Sequence, residues 1–112
     1  MPTEILNVKK ELEALDHKLL DMLVKRFELS SYLADAKYAL AEGGKVHISD
    51  SEKRLKLVDY YREASLKKAN EKGIINPEEF SKFVTRIAEE MLLFSWELQK
   101  EYLEKKYNLS CD

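Results

Sequence analysis

Arg26 and Lys37 are the two cations in this sequence best spaced to hold an anion together. Eleven residues separate them. On a helix, eleven steps of ~100° are three turns plus ~20°, so both side chains share one stripe with their backbones ~16.5 Å apart. Two long cationic side chains reaching toward each other across that gap suit a small dianion. Ser95 and Gln99, four residues apart, face the same way on a helix. They border an apolar face marked by Met91 and Leu98, where polar groups need partners. Lys9 lies seventeen residues before Arg26, which puts it about 100° off the stripe and ~25 Å away. It cannot serve the same pocket in cis, but it can across an antiparallel dimer seam.

The setting of Arg26 sharpens this. Steps of three and four through the first forty residues visit Ile5, Val8, Leu12, Leu15, Leu19, Met22, Arg26, Leu29, Leu33, Ala36 and Leu40. Every position is apolar except Arg26. A guanidinium cannot shed its proton to ease burial, and leaving it desolvated and unpaired costs several kcal/mol. Something anionic is expected to meet it, either a carboxylate side chain or a ligand. Singly, each residue has an ordinary reading. Arg26 suits a core ion pair, Lys37 a solvated lysine, Ser95 and Gln99 structural contacts, and Lys9 beside Lys10 an exposed charge run. The set gains meaning because the positions can converge.

Three helices must carry these residues. The first is expected over about 3–42, from Thr3 as N-cap to a stop at Gly43-Gly44. At ~1.5 Å per residue it is roughly 58 Å long, against a radius of gyration of ~13 Å for a compact domain of this size. It cannot be covered by its own chain, so its seam calls for a partner helix, most simply from a second copy. A short loop over 45–49 leads to a second helix over about 50–72. It is capped at Ser49, Asp50 or Ser51, and Leu55, Val58, Tyr61, Ser65 and Ala69 face inward. The third helix, about 77–106, opens on Asn76 as N-cap with Pro77 next and Glu79 three residues on. Its inner face is expected to hold Phe80, Phe83, Val84, Ile87, Met91, Phe94, Leu98 and Tyr102, with a frayed tail to Asp112. The expectation is a single all-α domain over 1–112, assembled as an intertwined homodimer.

Composition narrows the partners. The chain has 112 residues with net charge −2, and 36% of them are charged. That balance attracts neither nucleic acid nor anionic lipid, so any basic site is local. No stretch approaches the ~20 apolar residues of a bilayer span. Met1 to Leu12 carries neither a basic start nor an apolar run, so no signal peptide is expected. The single Cys111 permits no internal disulfide, and a cytoplasmic location is expected. His17 and His47 stand apart, without neighbouring ligands at metal spacing, so no metal is expected.

The sequence resembles the all-helical chorismate mutases, the AroQ class, over nearly its whole length. The strongest stretch is Leu12-Glu13-Ala14-Leu15-Asp16-His17-Lys18-Leu19-Leu20, followed by Leu23, Arg26 and Ala36-Lys37. The segment Leu98-Gln99-Lys100-Glu101-Tyr102-Leu103 is similar to the end of the family's third helix. The resemblance implies that Arg26 grips a substrate carboxylate. It implies that Lys37 and Gln99 flank the ether oxygen, with Ser95 one turn earlier, and that Lys9 stands where an arginine reaches into the partner's site. The family opens its second helix with Asp, two residues, then Arg-Glu. With a loop two residues longer, Asp50 matches the aspartate and Lys53-Arg54 replace Arg-Glu. Ungapped, the pair falls on Ser51-Glu52. Lysine at Lys9 and Lys53 makes a point contact where arginine makes a bidentate one.

The implied reaction is the rearrangement of chorismate to prephenate, in phenylalanine and tyrosine biosynthesis. It needs no cofactor, nucleophile or proton transfer. It needs a dicarboxylate held in a compact conformation with charge on the breaking bond stabilised. The alternatives are a related enzyme acting on isochorismate or aminodeoxychorismate, or a non-catalytic helical dimerisation or regulatory module.

Overall fold

The computed structural model describes residues 2–109; the expected fraying of the tail and Cys111 lie outside the described residues. Three helices follow one another: α1 (Thr3–Leu40), α2 (Ser51–Lys72) and α3 (Pro77–Tyr107). Among the described residues there is no strand, and no helix is long and apolar enough to cross a membrane.

The helix ends follow local chemistry, with three differences from expectation. Pro2, not Thr3, occupies the position before α1. That helix ends at Leu40 with Ala41 as its cap, before Glu42 and Gly43 turn into the left-handed region. Asp50 caps α2, its Oδ1 accepting from the backbone N–H of Glu52 at 3.0 Å and of Lys53 at 3.2 Å. Such a cap stabilises by about 1 kcal/mol. Gly73 at φ 68° closes α2, where a side chain would be strained. Asn76 precedes Pro77 as expected, but at φ 61° it makes no side-chain capping bond.

α3 lies at the centre. α1 and α2 both pack on it and not on each other. The pairs Ser30–Ser95 and Tyr38–Tyr107 run in one sense along α1 and α3, so these helices are parallel. The pairs Arg54–Glu89 and Ser65–Ser81 run in opposite senses, so α2 is antiparallel to α3. The helices meet through small residues. Ala34, Ala69 and Ala88 are fully buried, as are Ser30, Ser65, Ser81 and Ser95 within a few per cent. Small side chains let backbones approach, and the serine hydroxyls satisfy one another. Ser81 donates to the Arg62 carbonyl at 2.8 Å, with Ser65 3.1 Å from it.

This corrects the expected inner faces in part: Ser65 and Ala69 of α2 are buried as expected. Leu55, Phe83, Ile87 and Phe94 are exposed, while α3 buries Ser81, Ala88, Ser95, Gln99 and Leu103. The seam of α1 is also open: every residue from Thr3 to Met22 is exposed. The molecule measures 61 × 28 × 15 Å, with a radius of gyration of 18.4 Å. Open rows of large apolar side chains of this extent mark contact surfaces.

An apolar core sits at the other end of α1, where Val46 and Ile48 of the connecting loop pack with Ala34 and Leu103. A polar clasp closes it. Asp35 accepts from Tyr102 Oη at 2.9 Å, Lys106 Nζ at 3.0 Å and Tyr107 Oη at 3.1 Å, while Tyr107 stacks on Tyr38 with ring centroids 3.7 Å apart. Lys106 and then Tyr102 hold the Asp35 carboxyl below its ordinary 3.8. A depressed carboxylate stabilises the fold above its unfolded pKa and loses that contribution as pH falls through the folded value. Asp35→Asn should therefore lower the melting temperature at neutral pH. Its deficit should shrink as pH falls below about 4. Melting curves of both proteins across pH 2–7 check this; a deficit independent of pH would contradict it.

Candidate anion-binding site

Where α1, α3 and the start of α2 converge, they enclose a cavity of about 520 Å³. Arg26, Lys37 and Lys53 bring three cations to its wall, and Asp50 is the one carboxylate among its lining residues. Ser95 and Gln99 line it from α3. Helical spacing alone puts Arg26 and Lys37 on one side, and the Asp50 cap brings Lys53 to the mouth.

The polar groups are tightly connected. Lys37 Nζ donates to Gln99 Oε1 at 2.7 Å and to the Ile48 carbonyl at 2.9 Å. Gln99 Nε2 donates to Ser95 Oγ at 3.2 Å. Ser95 Oγ lies 2.6 Å from Ser30 Oγ, which donates to the Arg26 carbonyl at 3.2 Å. Burial, and then the nearby charge of Lys53, hold Lys37 below the ordinary lysine value of 10.5, with Asp50 opposing.

Arg26 is the exception. Its Nε is buried and has no hydrogen-bond partner, and no carboxylate among the described residues bonds to it. Of the two expected partners for this cation, an internal carboxylate is thus missing from the described residues, and the guanidinium faces the cavity. Desolvating a cation without pairing it is costly. A bound anion would offset that cost and fill the unmet donor.

Six of the residues singled out from sequence therefore share one cavity: Arg26, Lys37, Asp50, Lys53, Ser95 and Gln99. Two do not. Arg54 turns away and bonds Glu89 at 3.0 Å, tying α2 to α3. Glu89 lies thirty-five residues on, so nothing local in the sequence announces that pair. Lys9 is exposed on the free half of α1, outside this cavity. Sequence reasoning missed Ser30, His47 and Trp96, which also line the wall. Ser30 sits four residues after Arg26, one turn along the same face, and that spacing was the available signal.

A groove of about 660 Å³ between α2 and α3 is larger but carries mixed charge. Glu78 and Glu79 accompany its cations there, and Lys82 is bonded to Glu79 at 3.2 Å. It has no unmet buried donor comparable to Arg26. Among the described residues no cluster of His, Cys, Asp and Glu is arranged to hold a metal.

Comparison with protein-family models, with curated proteins and with solved structures finds no match for this chain.

Proposed function

We propose that this chain is a chorismate mutase of the all-helical class, working as an intertwined homodimer with shared sites. The observation that carries this reading is the buried, unpartnered Nε of Arg26 in a cavity it shares with Lys37, Lys53 and Gln99. The cavity's size and charge suit a small dicarboxylate. Arg26 takes one carboxylate, and Lys9 of the partner subunit takes the other across the open seam of α1. Lys37 supplies a donor to the breaking ether bond, and Gln99 stands beside it. Ser95, Asp50 and Lys53 complete the wall. Such a site accelerates a rearrangement by holding the reactive conformer and stabilising developing charge, which preorganised donors in a dry pocket do well.

The test is to follow chorismate absorbance with purified protein and identify the product. Prephenate is expected. Loss of chorismate without prephenate would redirect the reading to an enzyme of isochorismate or aminodeoxychorismate, and no consumption would favour a non-catalytic dimerisation module. The pH profile adds a signed expectation. The Lys37 ammonium is present below its depressed pKa and is lost as pH rises through it. The rate should therefore fall on an alkaline limb that begins below 10.5, the ordinary lysine value.

A further inference from the structure

We propose that Ser30, acting through Ser95, fixes the Gln99 amide with its carbonyl on Lys37. Ser30 is thereby a positioning residue for the cavity's central ammonium. The inference concerns the same cavity and rests on the reading above only for its consequence in turnover.

The argument is one of donors and acceptors. A lysine ammonium can only donate, so the 2.7 Å contact with Lys37 must be made by the carbonyl oxygen of Gln99. The amide nitrogen then points inward, and the 3.2 Å contact with Ser95 makes Ser95 Oγ an acceptor. Its own proton must go elsewhere, and Ser30 Oγ at 2.6 Å takes it. Ser30 in turn delivers its proton to the Arg26 carbonyl. Every proton in the relay has one direction, from Lys37 on α1 through α3 and back to the turn of α1 that carries Arg26. Ser30, Ser95 and Gln99 are all buried.

Without Ser30 the relay loses its outlet. The Ser95 hydroxyl is then released to donate to Gln99 Oε1, which turns the amide and brings Nε2 toward Lys37. A donor facing an ammonium disfavours its charged form. The Ile48 carbonyl still holds Nζ in its half-buried place, so the consequence is a fall in proton affinity rather than release to solvent. The other charged or titratable groups lining this cavity are Arg26 from α1, His47 from the loop, and Asp50 and Lys53 from the start of α2. None is altered by the substitution.

The test needs no substrate. The Lys37 side chain is titrated by NMR in lysine-labelled protein, with Lys37→Arg identifying the signal, in wild type, Ser30→Ala, Ser95→Ala and the double variant. Ser30→Ala is expected to lower the proton affinity of Lys37 about tenfold, the size of one lost charge-assisted hydrogen bond. Ser95→Ala removes the hydroxyl that would turn the amide, so it should shift Lys37 less than Ser30→Ala does, and the double variant should follow Ser95→Ala, because Ser30 reaches Gln99 only through Ser95. An unchanged or higher midpoint in Ser30→Ala, or additive shifts in the double variant, would overturn the proposal. A protein that shows these shifts yet leaves chorismate untouched would refute the reaction and leave the relay standing.

Discussion

Arg26→Ala is expected to lower kcat/KM for chorismate by about 10²- to 10³-fold, the usual loss when one preorganised donor to a transition-state anion is removed. The same substitution should leave the melting temperature unchanged or raise it. A residue that holds a fold together loses stability when truncated. Arg26 instead carries a buried nitrogen with no partner, so its removal relieves an unmet desolvation cost. The pairing of lost activity with retained stability is what marks a binding group. Turnover within threefold of wild type would sink the assignment. A large drop in stability would show that Arg26 is structural.

Leu12→Lys combined with Leu19→Lys should convert the protein to monomers and abolish turnover. Both leucines lie on the α1 seam and are about half exposed within one chain. A second α1 laid along that seam would bury large apolar area at ~25 cal/mol per Å², and two ammonium groups there would have no partner. Sedimentation of wild type as a monomer would remove the basis for a shared site. The finer test mixes Lys9→Ala chains with Arg26→Ala chains. Each variant alone is impaired, but a heterodimer holds one site with neither substitution. Activity should reappear on mixing, and its failure to do so would argue against Lys9 serving the opposite chain.

Much of the helix layout can be read from local chemistry. Asp50, Gly73 and Pro77 sit at helix ends because capping, left-handed turning and a missing N–H are properties of single residues. The spacing of Arg26 and Lys37 is equally local, since a continuous helix fixes the angle between them. The buried faces are another matter. Large apolar residues are expected inside, yet Phe83 and Phe94 are exposed while Ser81 and Ser95 are buried. Close approach of α1 and of α2 to α3 selects the small side chains for the contact, and the large ones remain on the outside. The Asp35 clasp was equally illegible. It joins α1 to the last turns of α3 across more than sixty residues, at 2.9 Å for Tyr102 and 3.0 Å for Lys106.

By itself, then, the sequence determined the all-helical class, the cation stripe on α1 and the Ser95–Gln99 pair on α3. Each is a matter of period and residue type along one helix. Tertiary structure alone decided that these stripes face one cavity, that Arg54 leaves it for Glu89, and that Ser30 enters it. It also decided that no carboxylate among the described residues meets Arg26. Those outcomes depend on how close and in what register two helices pack. That is set by which side chains are small enough to let them meet.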